Sequence, residues 1–331
     1  LYRNILKDKS VQEFVTLLRL LRDDNADIER FISAWSGISA GLFRMNAASF
    51  HEHVHNLIRY DENAFTLACE RREADRAGSL ARQADSDLKA LEKLASIRCK
   101  DLKKQIGEKV KENPEVCRLI DALPDWNPET IRPLGEDIEK RVHWHEKNGA
   151  GLFSAHAFFI WDGASLNPVI NPDPVTLDKL YLLESQKTVA IKNTKQFLLG
   201  KTANNILFYG DRGTGKSSLV KALANEFSSE GLRLIEVPKK YLDQIPVISA
   251  KLSVRGLKFI LFIDDLTFEN NEEKFTALKA VLEGGLEYRP TNILLYATSN
   301  RRHLVKESFA DRKGLYSDNP DEEIRARDSM Q

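Results

Sequence analysis

The sequence predicts an α/β fold: a parallel sheet core with flanking helices over residues ~200–331, preceded by an all-helical N-terminal region. Two patterns predict it. Before residue 122, apolar residues recur at steps of three and four, the period of a helix with one buried face. After Gly200, short apolar runs alternate with helical stretches, which implies parallel strands joined by helical crossovers. The domain boundaries expected from these patterns are a helical region at 1–122, a connector rich in proline and aromatic residues at 123–178, and the sheet core at 179–331.

Within the first region, Val11, Phe14, Val15, Leu17, Leu18, Leu20 and Leu21 fall at helical spacing. A longer stripe runs Leu80, Ala84, Leu88, Leu91, Ala95, Cys99, Leu102, Ile106, Val110 and predicts one long helix, ended at Asn113-Pro114. A helical bundle or hairpin is the expected form. A coiled-coil arm that docks a partner is the alternative, ranked second because the stripe drifts from a strict heptad. Cys99, inside the stripe, is expected in the core. In the connector, six prolines surround an aromatic cluster of Phe153, Phe158, Phe159 and Trp161, read as a segment that packs on a neighbouring domain. Residues 176–199 then look helical, with Gly200 as the stop. Beyond it, strands are expected at 205–209, 232–237, 259–263 and 293–297, and helices at 216–227 and 274–283.

Composition narrows the function. The 331 residues suit about two domains. Hydrophobic residues at 42% and charged residues at 30% exclude a disordered or collagen-like chain. Lys+Arg and Asp+Glu both total 49, which argues against a globally basic nucleic-acid binder. Small basic groups, Lys239-Lys240 and Arg301-Arg302-His303, leave a local nucleic-acid contact open. No apolar run approaches the ~20 residues that span a bilayer, and no leader-like stretch opens the sequence, so no membrane association is expected. Cys69, Cys99 and Cys117 form no disulfide framework or C-x-x-C pair, and a cytoplasmic setting is the expectation.

The chemistry concentrates at Gly210-Asp211-Arg212-Gly213-Thr214-Gly215-Lys216-Ser217, which matches G-x-x-x-x-G-K-[ST] and lies between an expected strand and an expected helix. Glycines let backbone N–H groups turn inward around phosphates, and the helix N-terminus adds its positive dipole end. Lys216 is expected on the β- and γ-phosphates, Ser217 on Mg²⁺, and Ser218 completes the loop's binding set. The apolar run 259–263 ends in Asp264-Asp265. Asp264 is expected to hold Mg²⁺, and Asp265 to orient or deprotonate an attacking water. A third apolar run ends in Thr298-Ser299-Asn300. Because ligands bind at the carboxyl ends of strands in open α/β sheets, Asn300 is expected to position that water.

These three segments, in this order, resemble the core of an AAA+ ATPase, with Tyr296-Ala-Thr-Ser-Asn300 similar to sensor 1 of that family. Asn204-Asn205, Gly210–Ser218, Leu232-Arg-Leu-Ile-Glu-Val237, Phe262-Ile-Asp-Asp-Leu266, Leu282-Glu-Gly-Gly-Leu286 and Ala297-Thr-Ser-Asn-Arg-Arg-His303 resemble, more narrowly, a bacterial family of predicted AAA+ ATPases with a domain of unknown function. The resemblance covers about 150–331 closely and the helical part more loosely. It implies binding and hydrolysis of ATP with Mg²⁺, assembly into a homo-oligomer, and remodelling of a partner protein reached through the N-terminal helices. Nucleic acid enters as a further possible partner because AAA+ relatives load helicases. A P-loop phosphotransferase and an interaction module that binds ATP with little hydrolysis are the competing classes. Relative to the complete AAA+ module, no Arg-Phe box, fifth strand or lid follows, and the sequence begins at Leu1. The expectation is a fragment in which the arginine finger and sensor 2 fall beyond Gln331. Arg312 stands in the wrong context to be assigned as the finger.

Two histidine motifs complete the reading. His51-Glu52-His53-Val54-His55 matches H-E-x-x-H, but Ile58 and Asp61 occupy the places where the extended zinc motif needs Gly and His. A surface histidine cluster on a helix is expected instead. His143-Trp144-His145 alternates in a way that suits an exposed or half-buried segment.

Overall fold

The computed structural model describes residues 1–110, 114–126, 138–181, 183–266 and 290–300. These form two compact units. The helical unit comprises Leu1–Ala157 with the short segments Ser229–Gly231 and Arg255–Leu257; the second comprises Phe158–Ser228, Leu232–Val254 and the described residues from Lys258 onward.

The described helices of the first unit are α1 (Lys9–Leu20), α2 (Ile28–Arg44), α3 (Phe50–Arg59), α4 (Ala64–Glu70), α5 (Ala74–Ala95), α6 (Cys99–Lys109), α7 (Pro114–Asp121), α8 (Ile138–Asn148) and α9 (Leu152–Ala155). Polar residues start the first four. Asp8 accepts from the Val11 N–H at 3.0 Å, Asp27 from Arg30 at 2.9 Å, Ser49 from Glu52 at 3.0 Å, and Asn63 forms a capping box with Thr66. Each cap satisfies a backbone donor that the first turn leaves unpaired. The apolar faces meet in one core that includes Phe14, Leu17, Trp35, Ile38, Val54 and Phe65, with the Phe14 and Phe50 rings stacked at 4.1 Å.

The stripe from Leu80 to Val110 is two helices, not one. α5 ends at Ala95, Arg98 is extended at φ −88° and ψ 142°, and α6 starts at Cys99. No glycine or proline marks the break. Ala84, Leu88 and Ala95 before it, and Cys99, Leu102 and Ile106 after it, all bury in the same core, so the periodicity continues while the backbone does not. Cys99 is fully buried, as expected, and burial pushes its thiol up to about 11. Pro114 opens α7, a position where its missing N–H costs nothing.

Both histidine motifs lie on helices but are more buried than the sequence suggests. His51 and His53 are buried on α3, and His53 Nε2 is 2.8 Å from Asp8 Oδ1. Glu52 accepts from the Ala48 N–H at 2.8 Å, which makes it part of a helix start. His143 is exposed on α8, whereas His145 is buried, its Nδ1–H donating to the Gly149 carbonyl at 2.9 Å. Burial lowers the His145 pKa from 6.5 to about 4; the Gly149 bond opposes this and Arg141 adds to it. The folded chain therefore holds a neutral imidazole, and unfolding takes up a proton between about pH 6.5 and 4. Stability from this group is complete above pH 6.5 and is lost as pH falls through that window, by up to about 3 kcal/mol. Urea unfolding at several pH values is expected to show the slope, and His145→Gln to reduce it.

Among the described residues the second unit is a six-stranded sheet flanked by helices. Its elements are β1 (Phe158–Trp161), β2 (Leu166–Pro168), α10 (Glu184–Leu198), β3 (Ile206–Tyr209), α11 (Lys216–Phe227), β4 (Leu232–Glu236), α12 (Ile245–Ser253), β5 (Lys258–Ile263) and β6 (Ile293–Ser299). The strand order is β2-β1-β4-β5-β6-β3, parallel except for the β1–β2 pair. β5 and β6 are buried almost throughout, the signature of central parallel strands covered on both faces. Tyr296 of β6 stays buried because its hydroxyl meets Thr194 Oγ1 at 2.9 Å and Asn193 Nδ2 at 3.1 Å on α10. Among the described residues no helix is long and apolar enough to cross a membrane.

Two expectations change here. Residues 158–168 are not connector: the aromatic cluster Phe158–Trp161 is a strand, pairing parallel with β4 through Phe158↔Leu234 and Ile160↔Glu236. Four residues between prolines carry too little periodicity to announce a strand, and its parallel partner lies over seventy positions away. Its hairpin turns at Asp162, whose Oδ1 accepts from the N–H of Ala164 and Ser165 at 2.8 Å each. Gly163 (φ +107°) sits where a Cβ would be 2.7 Å from Tyr241 Cε1. The 176–199 helix is also shorter than expected: Leu177–Lys179 is a single 3-10 turn and α10 begins at Glu184. Gly200, at φ +69°, ends it as expected. The expected 274–283 helix lies outside the described residues.

Candidate phosphate-binding site

The sheet order puts β6 between β3 and β5, so the ends of three parallel strands lie side by side. In register, Tyr209 of β3 faces Ser299 of β6, and Ile263 of β5 faces Ala297. Gly210–Gly215, Asp264-Asp265 and Asn300 follow these ends directly. Their convergence thus comes from strand pairing rather than from sequence proximity.

The glycine-rich turn runs from the end of β3 to the start of α11. Gly210 N–H donates to the Ser299 carbonyl at 3.2 Å. Gly213 (φ +77°) and Gly215 (φ +82°) take left-handed conformations that side chains disfavour. Thr214 Oγ1 donates to the Asp211 carbonyl at 2.9 Å, which closes the turn. Lys216 Nζ donates back to the carbonyls of Gly210 (2.8 Å) and Asp211 (2.6 Å), and to Asn300 Oδ1 (3.3 Å). Asn300 in turn donates from Nδ2 to Asp265 Oδ1 at 2.5 Å, so it bridges the lysine and the second aspartate.

Asp264 is the polar centre. Ser217 Oγ and Thr298 Oγ1 both donate to its Oδ1 at 2.6 Å. Thr298 Oγ1 also accepts from the Asp265 N–H at 2.8 Å. Asp265 sits at φ +51°, a sparsely populated backbone region that persists when surrounding bonds over-determine it. The residues Arg212–Ser218, Asp264, Asp265, Thr298 and Asn300 line a cavity of about 300 Å³. A second cavity of about 1010 Å³ shares Gly213–Lys216 and is otherwise lined mostly by apolar groups including Leu180, Leu183, Val189 and Leu219, with Lys179, Ser185 and Gln186 among them.

The structure therefore brings Gly210, Asp211, Arg212, Gly213, Thr214, Gly215, Lys216, Ser217, Ser218, Asp264, Asp265 and Asn300 to one place. It adds three residues to which the sequence analysis gave no role in this site. Thr298 orients both aspartates. Lys239, just after β4, has its Nζ 3.1 Å from Asp265 Oδ2. Glu236, the last residue of β4 and half-buried, has its carboxyl held above the ordinary range by burial and then by the charge of Asp264, against the pull of Lys221. Their signal was their position at the carboxyl end of an apolar run, readable only once the strand order is known. Arg301, Arg302, His303 and Arg312 lie outside the described residues.

A family of proteins of unknown function, DUF815, matches residues 154–331. Solved structures with detectable similarity include PCH-2 of C. elegans, at 19% identity over 40% of this chain and 39% of that one, with a TM-score of 0.28. The Thermotoga maritima RuvB Holliday junction branch migration motor is 20% identical over 40% of this chain and 44% of its own, with a TM-score of 0.30. DnaI is 17% identical over 43% and 80%, with a TM-score of 0.29. The chain thus spans less than half the length of the first two. No curated protein matches it. The family match begins four residues before β1, runs through the whole described sheet and covers over half of the chain; the chain belongs to the DUF815 family.

Proposed function

We propose that the chain binds MgATP at this site and hydrolyses it, coupling hydrolysis to the remodelling of a partner protein. The observation that carries the reading is the 2.6 Å bond between Ser217 Oγ and Asp264 Oδ1. It joins the residue after the P-loop lysine to the first acid of the Asp-Asp pair, two hard oxygen donors of the kind Mg²⁺ takes alongside nucleotide phosphates. Ser217 and Asp264 would hold the ion, which when bound neutralises charge on the phosphates. Lys216 would exchange the two loop carbonyls for phosphate oxygens, and the N–H groups of Gly213–Ser218 would cradle the rest. The larger apolar cavity, sharing Gly213–Lys216, supports a place for the base. Asp265 would orient water, with Asn300 beside it.

Lys216→Ala is expected to weaken MgATP binding roughly 10- to 100-fold, since losing a charged hydrogen bond costs about 1.5–3 kcal/mol. Titration calorimetry on parent and variant tests this, and unchanged affinity sinks the assignment. One observation favours a second reading, a nucleotide-dependent interaction module with little hydrolysis: both carboxylate oxygens of Asp265 already hold donors. Single-turnover phosphate release separates the two.

A further inference from the structure

We infer that Lys239 is a positioning residue for Asp265, restraining its carboxylate and thereby limiting the turnover of the site. The inference rests on the ATPase reading above. Lys239 opens the 3-10 turn Lys239–Gln244, three residues past the end of β4. β5 lies between β4 and β6 in the sheet, so Asp265, at the end of β5, is reached from both sides. From the β4 side Lys239 Nζ meets Oδ2 at 3.1 Å; from the β6 side Asn300 Nδ2 meets Oδ1 at 2.5 Å. The Asp265 N–H is itself held by Thr298 Oγ1.

The two side-chain contacts differ in kind. Asn300 lines the 300 Å³ cavity together with Asp265, whereas Lys239 does not. Lys239 therefore engages Oδ2 from outside the space where phosphate and water are proposed to meet. Turning that oxygen toward the cavity breaks the Lys239 contact. The side chains of Lys239 and Asp265 are 43% and 44% exposed. An ion pair so exposed adds little to folding stability, so the contact matters for the direction of the carboxylate rather than for the fold. The same exposure makes it weak enough to break in each cycle.

The test compares the full chain with Lys239→Met, which keeps the stem and removes the charge, and with Lys239→Arg, which keeps the charge. Calorimetry with MgATP and phosphate release are measured on all three. The expected result is a two- to fivefold rise in kcat for Lys239→Met, the size an exposed pair allows, with KM and calorimetric affinity unchanged and with Lys239→Arg close to the parent. If steady-state turnover of the parent is slow, single-turnover phosphate release with enzyme in excess is expected to show the same two- to fivefold ratio. A kcat that is unchanged or lowered in Lys239→Met, with ATP still bound, overturns the inference and leaves the binding reading intact. Absence of MgATP binding in the parent overturns both.

Discussion

Asp265→Asn is expected to bind MgATP as the parent does and to lose hydrolysis by about 10²- to 10⁴-fold, the range that a positioned acid–base group contributes. The substitution keeps the shape of the side chain. It can still accept from Asn300 or Lys239, and the backbone bond to Thr298 is untouched, so the left-handed conformation at this position persists. What it removes is the negative charge that would draw a proton from water. Asn300→Ala is expected to act in the same direction and more weakly, because it removes the bridge between Lys216 and Asp265 and leaves both charges in place. Phosphate release and calorimetry on the same preparations decide. Equal turnover in parent and Asp265→Asn would place catalysis elsewhere, with Glu236, at the end of the neighbouring strand β4 and within reach of the charge of Asp264, as the next acid to test.

The second large effect concerns folding. Glu70, at the end of α4, is fully buried and accepts four bonds: from Arg255 Nε (2.7 Å) and Nη2 (2.6 Å), the Ala150 N–H (2.8 Å) and the Gly256 N–H (3.0 Å). Arg255 also reaches Glu62 at 2.8 Å and stacks over Phe153. Gly256 passes so close to Glu70 that a Cβ there would be 1.9 Å from its carbonyl oxygen. Glu70→Gln replaces one acceptor oxygen by a donor that faces guanidinium and backbone N–H groups. Breaking a buried pair on one side costs about 3–5 kcal/mol, because the partner charge stays buried. For a unit of this size that lowers the melting temperature by roughly 10 °C. Thermal unfolding followed by circular dichroism measures it. The double variant Glu70→Met, Arg255→Met is expected to recover part of the loss, since no uncompensated charge is left behind. A Glu70→Gln protein as stable as the parent would mean the network is not a stability element.

Much of the sheet unit was legible because its signals are local. The expected runs at 205–209, 232–237, 259–263 and 293–297 each overlap an observed strand, and 216–227 is α11 to the residue. Parallel strands buried on both faces read as unbroken apolar runs, and a G-x-x-x-x-G-K-S turn has few other uses. In the helical unit, periodicity exposed α1, and Cys99 was placed in the core. The break at residues 96–98 was not legible, since apolar spacing passes through it undisturbed. Nor was β1, four residues held between a three-residue hairpin partner and a parallel strand over seventy positions away.

The sequence by itself determined the local chemistry: a glycine-rich loop after an apolar strand, a lysine and serine at the start of a helix, and carboxylates at the end of another apolar strand. Each depends on residue type and on spacing of a few positions, which the covalent chain enforces. The tertiary structure alone decided which of these groups touch. Ser217 and Asp264 are 47 positions apart, Asp264 and Thr298 are 34, Lys239 and Asp265 are 26, and Glu70 and Arg255 are 185. The first three contacts follow from strand order, which hydrogen bonding across the sheet selects and periodicity does not encode. The last follows from burial, because a glutamate and an arginine read as surface residues until the fold removes water from both and each becomes the partner the other requires.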